Sequence, residues 1–417
     1  MTIYVSRSLS RFRVLVTRFF RRAGFGDHTF LLLLSVLVGV VTALAAVGFH
    51  ELIVFIRNQL YTSARADFLY GRGIWLLVVF PAGGGLAVGL IAQYVLRTAE
   101  GHGIVDVMES VIRSSGFQRP IVAIEKILTS GITIGSGGSA GAEGPIVQIG
   151  AAIASGVGGL FGLARQQMPL LTACGCAAGI SAIFNAPFGG VLFALEVIYP
   201  DFSLRAFTPI VVCSVIAQVS TLAIYQRIEE LRRSHETYHA IFAMPQQDIM
   251  MHSVLNWGQV GNFVLLGLVC GLVGLSLTRL MDRFENFFHR MRAPKVVRPA
   301  IGGAMLGVAG IVYIVLFGAI LHRTKPFSFD TYPPPAFYGD GYGVVQQLLV
   351  NGFAGYGAAL SLSILILLGF LCAMKVVGTC MTLGSGGSGG VIAPSLFIGA
   401  SLGGIVGILL KHCGLFT

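Results

Sequence analysis

Long apolar runs broken by glycine-rich stretches constrain this chain more than any other feature. Apolar residues dominate from about Phe30 to Ile56, and again near 74–96, 119–134, 145–163, 168–183, 186–199, 205–225, 258–281, 299–321, 358–383 and 391–411. The first run exceeds the roughly 20 residues that a helix needs to cross a bilayer and reads as a tilted membrane helix. Several of the others are too short to cross about 30 Å of hydrocarbon as straight helices. Irregular backbone at membrane depth is tolerated only where it is buried in protein or lines a water-filled cavity, so the glycine-rich breaks mark the candidate site. The expectation is an all-α polytopic membrane protein with broken, partly re-entrant helices.

Composition supports a lipid rather than an aqueous solvent. Only 11% of the residues are charged, against roughly 25% in soluble domains. The 56 glycines sit inside apolar runs, where they let helices approach closely or break, so disorder is not the reading. The net charge of +10 lies in short clusters beside apolar spans, a pattern of membrane topology, and no nucleic-acid partner is expected. All seven cysteines lie in or next to apolar segments, where a thiol packs as a small hydrophobe. Cys174 and Cys176 lack a second pair at ligand spacing, so no metal or cofactor is expected.

The first 28 residues carry Arg7, Arg11, Arg13, Arg18, Arg21 and Arg22, which predicts a basic cytoplasmic N-terminal segment. The span that follows is too long for a signal-peptide core, so it should be retained, in a multi-pass protein of a plasma or inner membrane.

A shift of 249 residues lays Gly135–Ala151, GSGGSAGAEGPIVQIGA, on Gly384–Ala400, GSGGSGGVIAPSLFIGA, with ten of seventeen positions identical. The match extends upstream to Lys126 and Lys375, and more loosely to Gly101-His102-Gly103 and Gly339-Asp340-Gly341. Residues 29–417 therefore read as one membrane domain, with a first repeat at about 29–225, a linker at 226–257 and a second repeat at about 258–417. The linker holds three arginines against four acids, whereas 279–298 holds Arg279, Arg283, Arg290, Arg292, Lys295 and Arg298. By the positive-inside rule that basic stretch is cytoplasmic, so the second half enters from the opposite side and the repeats are inverted. The first half continues well past its motif, while the second reaches only Thr417. The second repeat is therefore expected to be incomplete, and no cytoplasmic regulatory domain is expected.

Gly141-Ala142-Glu143-Gly144-Pro145 joins a glycine-rich loop to an apolar helix with proline in its first turn, and Gly390-Val391-Ile392-Ala393-Pro394 does the same in the second half. Two helix N-termini with free N–H groups would favour an anion. Glu143 is a carboxylate placed where that anion should sit, so it can compete with the ion and act as a gate.

These residues resemble the CLC family of chloride channels and chloride/proton antiporters, over nearly the whole chain. GSGIP appears as Gly101-His102-Gly103-Ile104-Val105, the GREGP or GKEGP motif as Gly141 to Pro145, and GIFAP as Gly390 to Pro394. Phe184 to Val197, FNAPFGGVLFALEV, resembles the segment after the gate. The resemblance implies the inverted-repeat CLC-type fold, a homodimer with one anion pathway per subunit, and a gating glutamate at Glu143. It also implies chloride as ligand, held around His102, Gly103, Ile104, Ala142, Gly144, Val391, Ile392 and Ala393. The chain departs from the family in having His102 for a serine and Ile392 for a phenylalanine. His102 is either an anion contact through its N–H or a polar residue at a helix start facing water. Antiporters of the family carry a second acid for protons, and its position falls on Val197. The favoured reading is a chloride channel gated by voltage or pH through Glu143; the alternative is a chloride/proton antiporter.

His235-Glu236-Thr237-Tyr238-His239 spells the zinc-protease pattern HExxH. No third ligand follows at the metzincin spacing, where Pro245 stands, and the motif lies in a polar linker, so membrane zinc proteolysis is only a remote alternative. No enzymatic activity is expected.

Overall fold

The computed structural model describes residues 26–61, 73–96, 103–232, 257–324, 335–351 and 358–413. Thirteen α-helices make up these residues: α1 (Asp27–Leu60), α2 (Leu76–Leu90), α3 (Ile104–Arg113), α4 (Ile121–Gly135), α5 (Glu143–Phe161), α6 (Met168–Phe184), α7 (Pro187–Phe193), α8 (Leu204–Arg232), α9 (Trp257–Arg290), α10 (Arg298–Thr324), α11 (Tyr342–Asn351), α12 (Ala358–Gly384) and α13 (Ile392–His412). α2 and α7 each run on into a π-helical turn, Ile91–Leu96 and Ala194–Ile198. Eight helices are long and apolar enough to cross a bilayer, while α6 and the α7 segment are shorter apolar pieces. The chain is thus a multi-pass membrane protein with broken helices. α3 and α11, ten residues each, fall outside the apolar runs.

Proline and asparagine punctuate the helices where backbone chemistry permits. Pro145 and Pro394 are the third residues of α5 and α13, where an N–H would have no intrahelical acceptor. Asn185 ends α6 with φ 53° and ψ 38°, a left-handed geometry that asparagine tolerates, and its side-chain oxygen accepts from Gln218 Nε2 at 2.7 Å. Pro187 then starts α7.

The described residues form two compact bodies, and they interleave the two halves of the sequence. The first takes those within Met1–Glu51, Gly101–Leu128 and Glu143–Ala240. Its core is built from α1, α3, α5, α6, α7 and α8, around small side chains such as Ala151, Ala154, Cys174, Cys176, Ala177 and Cys213. Small residues let these backbones touch: a Cβ added at Gly150 would lie 2.0 Å from the Gly175 carbonyl oxygen.

The second body takes the described residues within Leu52–Glu100, Thr129–Ala142 and Ile241–Thr417. Its core is more aromatic, with Tyr313 stacked on Phe370 and packed edge-on against Phe337. α2 and α10 cross antiparallel at close range. A Cβ at Gly85 would meet the Pro299 carbonyl oxygen at 2.2 Å, and one at Gly303 would meet that of Pro81 at 2.3 Å. Pro81, inside α2, lacks the N–H that would bond Leu77, and the Tyr338 hydroxyl reaches that Leu77 carbonyl at 3.3 Å.

Candidate anion site

The sequence repeat reappears in the helix ends and loop backbone of the two halves. α4 and α12 end at Gly135 and Gly384, and α5 and α13 begin at Glu143 and Ile392, each pair 249 residues apart. Between them Gly137 and Gly386 have φ of 108° and 101°, a conformation that only glycine adopts without strain. Gly138 N–H bonds the Thr133 carbonyl at 2.8 Å, and Gly387 N–H bonds that of Thr382 at 2.9 Å.

In the second body the two glycine-rich loops meet in an antiparallel bridge of Gly141 with Gly390. Gly141 N–H donates to Gly390 O at 2.8 Å, and Gly390 N–H to Gly141 O at 2.7 Å. Equivalent residues of the two halves therefore pair with each other, which places a local two-fold axis between them. Beyond the bridge, the Ser395 N–H bonds the Val391 carbonyl at 3.0 Å and Pro394 has no N–H. The N–H groups of Val391, Ile392 and Ala393 are then the ones that α13 itself leaves without acceptors. Val391 is 42% exposed and Ala393 is buried. Ala142, also in this body, is buried beside the bridge.

Lys375, fully buried on α12, ties down a third loop of this body. Its Nζ donates to the carbonyls of Phe337 at 3.2 Å and Gly339 at 2.7 Å, and it sits 5.3 Å from the Phe397 ring centroid. The Gly339 carbonyl also accepts the Ala140 N–H at 3.2 Å, so this loop is fastened next to the bridge. Asp340 Oδ1 accepts the Tyr342 N–H at 3.2 Å and leads into α11.

In the first body, Glu143 opens α5 with no exposed surface. Gly103 precedes α3 with φ 68° and ψ −89°, and a Cβ there would lie 2.9 Å from both the carbonyl carbon and oxygen of Gly144. Gly103, Ile104, Glu143 and Gly144 are thereby brought together, at the starts of two helices whose N-termini carry partial positive charge. One turn further on, Gln148 Nε2 donates to Asp106 Oδ2 at 3.3 Å, linking α5 to the first turn of α3. Val197 lies in the π-helical turn after α7, packed against the apolar core, and Glu196 beside it is exposed.

His102 and the His235/Glu236/His239 motif lie outside the described residues. Among the described residues no cluster of three or more His, Cys, Asp or Glu could hold a metal.

Sequence reading missed two features. Pro81-Ala82-Gly83-Gly84-Gly85 and Gly89 recur as Pro299-Ala300-Ile301-Gly302-Gly303 and Gly307 at a shift of 218, a second repeat legible in the chain once the offset is allowed to change. Thr133 and Thr382 are identical at the 249-residue shift, and both reach across to the opposite loop.

The sequence profile of the family described as voltage gated chloride channel matches residues 84–415. A chloride channel protein described as ClcB-like, from Ralstonia nicotianae, is 30% identical over 90% of this chain and 78% of its own length. A slow cyanobacterial Cl⁻/H⁺ antiporter shares the fold with a TM-score of 0.69 at 21% identity, covering 92% of this chain and 80% of its own. A CLC-type fluoride/proton antiporter superposes with a TM-score of 0.66 at 22% identity, covering 93% and 82%.

Proposed function

The chain belongs to the voltage-gated chloride channel (CLC) family, and from that premise we propose that it is a chloride channel in which Glu143 gates a backbone-lined anion path. The observation that carries this reading is the Gly141–Gly390 bridge, two residues ahead of helix starts at Glu143 and Ile392. Helix N-termini favour an anion through free N–H groups and the dipole. Within the second body the candidate anion ligands are the N–H groups of Ala142, Val391, Ile392 and Ala393; within the first, taken by itself, they are those of Gly103, Ile104 and Gly144.

Glu143 is itself an anion at a helix start. Charged, it competes with chloride; protonated or displaced, it leaves the path. The absence of an acid at Val197 favours a channel over proton exchange, because that apolar, core-packed side chain offers no proton carrier. The antiporter reading draws its support from the two solved antiporters that share the fold. Reversal potentials measured in liposomes under separate chloride and pH gradients decide between them. A channel gives a potential set by chloride alone, whereas a fixed dependence on the pH gradient refutes the channel reading.

A homodimer is part of the same reading. Phe188, Val215 and Val219 are large apolar side chains left exposed in the 186–225 stretch, where a second copy would cover them. The N-terminal segment is assigned to the cytoplasm on its arginines.

A further inference from the structure

The hydroxyl groups beside the glycine-rich loops form reciprocal pairs across the local two-fold axis. Thr382 Oγ1, near the end of α12, accepts the Ser139 N–H at 3.0 Å, and Thr133 Oγ1, near the end of α4, accepts the Ser388 N–H at 3.2 Å. Shifted by 249 residues, each bond maps onto the other. Each threonine also donates its own proton one turn back, Thr133 to the Thr129 carbonyl at 2.8 Å and Thr382 to that of Gly378 at 2.9 Å. The hydroxyl is thus oriented by its own helix, with a lone pair offered to the opposite loop. A second set repeats the pattern: Ser139 and Thr379 hydroxyls lie 3.3 Å apart, and Ser388 and Ser130 hydroxyls 2.8 Å apart.

These bonds fall at a sensitive place in each loop. Ser139 and Ser388 stand two residues before Gly141 and Gly390, so only Ala140 and Gly389 separate the threonine contact from the bridge. A Cβ at Gly389 would lie 2.4 Å from that of Ala140, which leaves the strands no room to shift sideways. Removing the Thr382 acceptor leaves the buried Ser139 N–H without this partner, removing the Thr133 acceptor does the same to the part-buried Ser388 N–H, and each frees one side of a loop beside the bridge.

We propose that Thr133 and Thr382 are positioning residues for the anion site, each holding the glycine-rich loop of the opposite half and with it the N–H groups beyond the bridge. This rests on the anion-transport reading. Neither residue touches the ion; each acts through the loop it grips.

The test uses the full chain in proteoliposomes with chloride as the probe, comparing Thr133→Val and Thr382→Val with Thr133→Ser and Thr382→Ser. Valine keeps the size and removes the acceptor; serine keeps the acceptor and removes a methyl group. The chloride concentration for half-maximal flux should rise roughly tenfold in each valine variant and stay within about twofold of wild type in each serine variant. The double valine variant should lose less than the product of the single losses, because both hydroxyls act on one bridge. Amide exchange gives a readout independent of transport: Thr382→Val should speed exchange in 136–142, and Thr133→Val in 385–391, in each case the loop of the other half. Unchanged chloride dependence in assembled valine variants, equal loss with serine and valine, or faster exchange in the mutated half's own loop would each overturn the proposal. Valine variants that fail to assemble while the serine variants do assemble would assign the hydroxyls to folding and overturn it too. A wild-type protein that moves no chloride would refute the transport reading instead, and the exchange pattern would still decide whether the threonines hold the loops.

Discussion

Glu143 is a carboxylate with no exposed surface at the first residue of a helix. Under the proposed gate, protonating Glu143 removes its competition with chloride, so flux should rise as pH falls. Glu143→Gln should hold flux at the level that wild type reaches at low pH and abolish its pH dependence; stopped-flow chloride efflux across a pH series measures this. Gly103 sets a second residue-scale expectation. Its φ of 68° disfavours any side chain, and Gly144 occupies the space a Cβ would need. Gly103→Ala should lower stability by about 1–3 kcal/mol, read as a lower midpoint of unfolding in detergent. Lys375→Met should also destabilise, by about 2 kcal/mol or more, because the carbonyls of Phe337 and Gly339 lose a charged donor. At this scale the sequence was informative where a residue's chemistry was out of place. Glu143, a carboxylate in an apolar run, announces itself, and so does Lys375 through its match to Lys126. The sequence marks Lys375 only as the counterpart of Lys126, and its role as anchor of the 335–341 loop was not legible, because its carbonyl partners lie some 36 residues away and follow no pattern.

Apolar runs and helices coincide closely because, in lipid, a span must satisfy its own backbone, and helix is the only local way to do so. The run near 168–183 is α6 (Met168–Phe184), and that near 358–383 is α12 (Ala358–Gly384). α9 (Trp257–Arg290) runs past its apolar stretch into the basic cluster. α3 and α11 escaped because each is only ten residues long and follows a glycine turn; α3 is strongly amphipathic with Asp106 in its first turn, and α11 carries polar residues such as Gln346. The α2–α10 crossing was hidden for a different reason: its repeat needs a shift of 218 rather than 249, since the connections between elements differ in length between the halves. It supplies an element-scale expectation. Gly85→Ala and Gly303→Ala each push a methyl group into the facing backbone and should each cost about 1–3 kcal/mol. The two sites flank one crossing, so a double-mutant cycle should find their costs non-additive.

The whole molecule interleaves its halves: residues 129–142 of the first half pack in the same compact body as the second half, and the bridge of Gly141 with Gly390 lies inside that body. An inverted repeat makes this economical, because one loop sequence used twice generates its own partner across the two-fold axis. The pairing of the two glycine-rich loops was legible from the 249-residue match, whereas the division into bodies was not, since it depends on which segments pack rather than on which are similar. If the proposed homodimer with one path per subunit holds, Val215→Trp or Val219→Trp should weaken self-association and leave chloride flux per subunit unchanged; cross-linking yield at falling protein-to-lipid ratios reads this out. The proposed function is anion passage along backbone N–H groups with Glu143 as the gate. Chloride efflux from loaded proteoliposomes, recorded for wild type and Glu143→Gln at one neutral pH, tests it most directly. Efflux should appear in both and run faster in Glu143→Gln; no chloride efflux, or cation flux in its place, would refute anion transport by this chain.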